Sequence, residues 1–221
     1  MIATRWARVP PFERGLTLGD FLVPIRLGER AASWQRHVIM IAAGLVVIAL
    51  SAQVIVPLPF TPVPATGQTF GVLFVSALLG FRRSLLTLTL YLAIGALGVP
   101  VFAGWTSGAD RIASIAGGEL MLGPTGGYLV GFLVAGAVVG RLAELGWDRL
   151  IGSSLAAMAI GNIVVYVVGV PWLMAATGSD LAVGLGLGVY PFLVGDVLKL
   201  MIAGGLLPVG WWIVERRSSD L

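Results

Sequence analysis

No cysteine occurs in the 221 residues, which excludes disulfides, thiolate nucleophiles and Cys-ligated zinc or iron–sulfur centres. Charge is nearly as scarce: 11% of residues are Asp, Glu, Lys or Arg, there is one histidine, and lysine occurs once, at position 199, against thirteen arginines. The lone His37 lies at the start of the first apolar run, far from the other polar clusters. Ser–His chemistry and a His-based metal site therefore lack their parts. What is present instead is apolar. With 57% hydrophobic residues and a mean hydropathy of +0.96, the chain falls outside the composition of soluble domains and reads as an all-α integral membrane protein.

A bilayer core about 30 Å thick needs roughly 20 apolar residues per helix, and 37–56 supplies them without a carboxylate, Lys or Arg. Shorter apolar stretches at 69–79 and 85–98 flank the basic turn "GFRRS" and borrow length from their neighbours. Further helices are expected at 125–140, 150–168 and 190–212, giving six. The Pro-rich "PLPFTPVPATGQTF" (57–70), the long connection 99–124 and the Gly-rich 169–189 join them on one face, the first as a structured segment packed on the bundle. No internal repeat and no second domain are apparent. The chain divides into an N-terminal extension (1–35), a six-helix domain (36–217) and a short tail (218–221). The extension is Arg-rich but has no long apolar stretch, so it does not read as a cleaved signal peptide.

Cytoplasmic flanks collect Lys and Arg. An inside N-terminus puts Arg5, Arg8, Arg14, Arg26, Arg30, Arg36, Arg82, Arg83, Arg141, Arg149, Arg216 and Arg217 on that side, leaving Arg111 in an outer loop. Both termini are then cytoplasmic and the three elaborate loops are external. The formal net charge of +3 is explained by orientation in the bilayer and implies no nucleic-acid partner.

Within the sixth run, Asp196 and Lys199 stand three apart and share a helix face. Each alone costs about 2.5–3.5 kcal/mol at a helix centre, so they are expected to pair, either as a structural lock or as part of a site. Asn162, the only asparagine, can donate and accept at once, which suits a ligand carrying both N–H and C=O groups; bridging two helices would use it as well. "GPTGGY" (123–128) opens the fourth helix with Thr125 as a candidate N-cap. Gly126 and Gly127 there, followed by Tyr128, leave backbone N–H groups open to an anion, though glycine at such a place also serves close helix packing. Gln68 and Thr69 are polar groups at the inner edge of the Pro-rich loop. Trp105, Tyr166, Trp172, Tyr190 and Phe192 are candidates for an apolar wall, whereas Asp110, Arg111 and Glu119 read as solvated loop charges without a role.

Four stretches in this order, "PLPFTPVPATGQTFGVL", "GPTGGYLVGF", "GNIVVYVVGVPWL" and "PFLVGDVLK", resemble the BioY family, the biotin-binding S components of energy-coupling-factor vitamin transporters. The resemblance covers 36–217. It implies an S-component-like bundle in a bacterial cytoplasmic membrane, with biotin as transported ligand, no cofactor or metal, and no enzymatic activity. It also implies a transmembrane coupling subunit and cytoplasmic ATPases as partners. The "GD..K" element would place Asp196 and Lys199 at the ligand, and "GN...Y" Asn162 and Tyr166. A ureido ring offers two N–H donors to Asp196 and a carbonyl to Lys199 or Asn162, while the ligand carboxylate faces the start of the fourth helix or Gln68. Small residues of the first helix, Ala42 and Ala49, are candidates to meet the coupling subunit, though close packing within the chain would use them equally well. Other readings are an S component or standalone facilitator for another small vitamin, and an intramembrane enzyme using Asp196 as base.

Overall fold

The computed structural model describes residues 15–22 and 31–219. Helix α1 (Gly19–Leu22) precedes α2 (Ala31–Ser51), which starts six residues before the apolar run and ends five short of its end. A two-stranded ribbon, β1 (Ile55–Val56) with β2 (Ala65–Thr66), leads into α3 (Gln68–Ala96). A loop with two 3₁₀ turns and the hairpin β3 (Ala113–Ala116) and β4 (Glu119–Leu122) follows, then α4 (Gly126–Glu144), α5 (Ile151–Thr177), the short α6 (Leu181–Gly188) and α7 (Leu193–Ser219).

Five described helices are long and apolar enough to cross a membrane, where the sequence suggested six. The difference lies at Gly80, whose φ of 77° and ψ of 178° interrupt α3, a region of backbone space that is essentially glycine's own. An unbroken helix would separate residues 68 and 91 by roughly 35 Å. Instead the Gln68 Nε2–H donates to the Tyr91 hydroxyl at 2.8 Å, so α3 folds back on itself as two arms, 68–79 and 81–96. Each arm is short, as the two apolar stretches imply.

The antiparallel legs interlock through small residues, as membrane interfaces do. Gly140 of α4 lies so near the Gly80 turn that a Cβ would sit 2.7 Å from the Gly80 carbonyl carbon, and Gly161 of α5 accommodates Val139 and Leu73. Leu73, Leu88, Tyr91, Val139, Met158, Leu173 and Leu207 are fully buried between the legs.

The helix order puts Arg36, the Gly80 turn, the ends of α4 and α7 and the start of α5 at one end of the bundle, and the loops with the start of α7 at the other. Described arginines 36, 82, 83, 141, 149 and 216 accordingly gather at one end, with Arg111 at the other. Part of the extension is docked at the arginine-rich end. Thr17 donates to Asp20 through its N–H and hydroxyl, Asp20 pairs with Arg83 at 2.7 Å, and the Gly15 N–H bonds the Glu144 carbonyl. Leu18 is buried against Gly210, and Phe21 meets Trp211 edge-on. Burial opposes ionisation of Asp20, but the Arg83 and Thr17 donors outweigh it and hold its carboxyl below the usual range. Residues 31–35 of the extension open α2; its residues 1–14 and 23–30, Arg5, Arg8, Arg14, Arg26 and Arg30 included, and the last residues of the tail lie outside the described residues, as does the Arg217 side chain.

Pro171 does not end α5, which runs on to Thr177, so the Gly-rich connection expected at 169–189 is largely helical. Asp180 caps α6 by accepting from the Val183 N–H at 2.9 Å.

Candidate functional site

The carboxylate of Asp196 sits in the first turn of α7, where the exposed N–H groups of the helix favour negative charge. It is 5% exposed, and three donors reach it. Lys199, one turn on, donates to Oδ1 at 3.0 Å. Asn162 Nδ2 donates to Oδ2 at 3.1 Å, and the Tyr166 hydroxyl donates to the same oxygen. Asn162 and Tyr166 are four apart on α5 and so share one face. Two helices thus meet across a satisfied ionic cluster, which is what makes a buried charge tolerable at this depth.

This cluster lines a cavity with about 850 Å³ of unfilled space, the open solvent at its mouth included. Gln68, Thr69, Thr125 and Tyr128 also line it, as do Phe102, Phe132, Phe192, Leu129 and Val165, while Pro62, Val63 and Pro64 come from the Pro-rich loop. Its base is polar and its walls are apolar and aromatic. A ligand with a compact hydrogen-bonding head and an apolar body matches that division.

Of the residues singled out from sequence, Asp196, Lys199, Asn162, Tyr166, Gln68, Thr125 and Tyr128 share this cavity. Gly126 and Gly127 do not line it. A Cβ on Gly127 would lie 2.2 Å from Trp172 Cβ, and one on Gly126 would lie 2.6 Å from the Ile112 carbonyl oxygen, so both serve the close packing of α4 against α5 and the loop. Thr125 occupies the N-cap position of α4 without capping it; its hydroxyl donates to the Arg111 carbonyl at 3.3 Å. Trp172 spends its indole N–H on the Gly123 carbonyl, and Trp105 and Tyr190 are exposed outside the cavity.

Arg111, read as a solvated loop charge, instead lines the cavity. Its side chain is about half exposed and lies 3.9 Å from Asp110, so it is positioned to meet an anion at the cavity's edge. Nothing in the local sequence distinguishes it from other loop arginines; only the path of the 99–124 connection brings it in. Ala42 and Ala49 do not form one open surface. Ala42 is exposed, but Ala49 is 9% exposed, where the C-terminal end of α2 is covered and Gln53 Nε2 bonds both the Ala49 and Phe102 carbonyls.

A charged, hydrogen-bonding base sealed between membrane-crossing helices, beneath apolar walls opening at the loop-bearing end, defines a membrane-embedded small-molecule-binding protein. The comparisons give the class its family: residues 27–216 match the BioY family model, and the chain belongs to the BioY family. Similar proteins include a biotin transporter BioY of Thermotoga maritima, 32% identical over 74% of this chain and 90% of that one. A probable biotin transporter BioY of Pyrococcus horikoshii is 34% identical over 76% and 91%, and a biotin transporter BioY of Rhodobacter capsulatus 32% identical over 80% and 96%. Among solved structures, the S component for biotin of an ECF-type ABC transporter superposes with a TM-score of 0.70 at 24% identity, covering 82% of this chain and 93% of that one; it is the same fold.

Proposed function

We propose that this chain is the biotin-binding S component of an energy-coupling-factor importer. The observation that carries the reading is the Asp196 carboxylate, buried in the cavity and held by Lys199, Asn162 and Tyr166. A cyclic urea has two N–H donors and one carbonyl on a single rigid edge. Asp196 accepts from one N–H, and Lys199 or Asn162 donates to the carbonyl. The valeryl chain and sulfur ring lie against Phe102, Phe132 and Phe192, and Arg111 meets the carboxylate. Binding makes and breaks no covalent bond; it exchanges water for these fixed partners.

The arginine-rich end faces the cytoplasm, with both termini there, and the cavity opens outward from a bacterial cytoplasmic membrane. A transmembrane coupling subunit and ATPases supply the energy for reorientation, and Ala42 on the open face of α2 is available to the coupling subunit. Native mass spectrometry of the purified chain is expected to show co-purified biotin. Calorimetry in detergent is expected to show biotin binding that weakens at least tenfold, about 1.4 kcal/mol, in Asp196→Asn. A different vitamin in the cavity, or undiminished affinity in a folded Asp196→Asn chain, overturns the reading.

A further inference from the structure

Tyr91 is fully buried and is not among the cavity-lining residues, yet its hydroxyl is bonded on both sides. It donates to the Val101 carbonyl at 2.9 Å, and Gln68 Nε2 lies 2.8 Å away. A phenol has one proton. A carbonyl cannot donate, so that proton belongs to Val101, and the Tyr91 oxygen is an acceptor toward Gln68. The opposite amide orientation would set the Gln68 carbonyl against an oxygen with no hydrogen between them. The direction of the Gln68 amide, ordinarily ambiguous, is therefore fixed by the chemistry of its neighbour. Its Oε1 receives no hydrogen bond from any described residue, and it is not a sealed, unpartnered atom.

We propose that Tyr91 is a positioning residue for the binding site, holding Gln68 with its carbonyl as an uncommitted acceptor for a ligand N–H. The inference rests on the biotin reading for the identity of that donor, one N–H of the ureido ring, but not for the orientation of the amide. Tyr91 is itself fixed. Its ring meets Phe102 edge-on at 5.5 Å, Phe102 packs onto Gly95 so closely that a Cβ there would lie 2.3 Å from the ring, and the Phe102 carbonyl accepts from Gln53. The same ring of Phe102 lines the cavity. A buried hydroxyl outside the cavity thus determines which hydrogen-bonding partner the cavity offers, and a Phe at this position would leave the amide free to turn over.

The test is a double-mutant cycle with biotin on the full chain in detergent: wild type, Tyr91→Phe, Gln68→Ala and both together. Tyr91→Phe is expected to weaken binding about fivefold and Gln68→Ala about tenfold, with the double variant no weaker than Gln68→Ala alone. Unchanged affinity in Tyr91→Phe overturns the proposal, and so do losses that multiply to about fiftyfold, since Tyr91 would then act through Val101 and the loop. A ligand-free measurement separates this proposal from the biotin reading. The chain has three glutamines, Gln35, Gln53 and Gln68, so selective ¹⁵N-Gln labelling gives three side-chain amide signals. One Gln68 Nε2 proton is expected to show the downfield shift and slowed exchange of a hydrogen bond, both lost in Tyr91→Phe. If wild type ignores biotin but this signature appears, the ligand identity fails and the positioning stands; absence of the signature in the wild type overturns the positioning.

Discussion

The ion pair of Asp196 and Lys199 is asymmetric. Asp196 has a side chain 6% exposed and three donors, whereas Lys199, 21% exposed, makes its bond to one carboxylate oxygen beside the cavity. Removing Lys199 leaves a buried anion in low dielectric; removing the charge of Asp196 leaves an ammonium within reach of cavity water. Breaking a buried pair so that its more buried charge is left behind is the costlier event, on the order of 3–5 kcal/mol. Lys199→Met is therefore expected to lower the thermal unfolding midpoint in detergent well below that of Asp196→Asn, although both lose ligand. At the cavity edge, Arg111→Ala is expected to weaken biotin about tenfold but to leave binding of biotin methyl ester, which carries no carboxylate charge, nearly unchanged; calorimetry with both ligands reads the difference. Asp196, Lys199 and Asn162 are legible in the sequence because polar groups in a membrane-length apolar run have few other uses. Arg111 is not, since a loop charge acquires its neighbours only from the tertiary path of the chain.

At the level of elements, the Gly80 reversal organises the bundle. Its backbone places the two arms of α3 side by side, and the turn packs against Gly140, Thr17 and Glu144. Glu144 Oε1 accepts from the Phe81 N–H at 2.9 Å, satisfying a donor that the break in the helix exposes. Gly80→Ala brings a Cβ within 2.9 Å of both Glu144 Oε1 and Thr17 Cγ2 and requires a backbone region that costs a non-glycine residue about 1–3 kcal/mol. Destabilisation of that size, read from denaturant unfolding followed by tryptophan fluorescence, is expected, with biotin affinity of the folded fraction changed much less. Most helices are legible from apolar length, and "GFRRS" marks this reversal. Two features are not. The helix α6 has three glycines in eight residues, a composition that argues against helix until the Asp180 cap and its packing against α5 are known. The Gly126–Gly127 pair resembles an anion-binding helix start until Trp172 is seen filling the space before it.

Across the whole molecule the two ends have opposite electrostatic characters, and a second buried carboxylate lies at the arginine-rich end. Asp148, in the α4–α5 connection, is 1% exposed and accepts from the Trp211 indole N–H at 2.7 Å, while its Oδ1 has no partner. Trp211 is stacked beneath the Arg149 guanidinium at 4.2 Å and touched by Phe21 of the docked segment, so this carboxylate ties α7, the helix bearing Asp196, to the rest of that end. The docked segment 15–22 lies outside the matched region 27–216, so the tie involves an addition to the family's core. Burial pushes the Asp148 carboxyl up to about 6, against the opposing pull of the Trp211 bond and of Arg149. A carboxyl raised above its unfolded value is protonated in the folded chain when the unfolded one has already lost its proton, so its stabilising contribution is complete below about pH 4 and fades as the pH climbs through 6. Between pH 5 and pH 7.5 the wild-type midpoint is thus expected to fall relative to that of Asp148→Asn. The amide keeps an acceptor for Trp211 without a charge to bury, and its thermal unfolding curves in detergent should move less over that interval. Parallel pH dependence of the two proteins would mean that Asp148 remains ionised throughout, with the Arg149 charge compensating its burial, and the docked end would then be held by an ion pair instead of a neutral hydrogen bond.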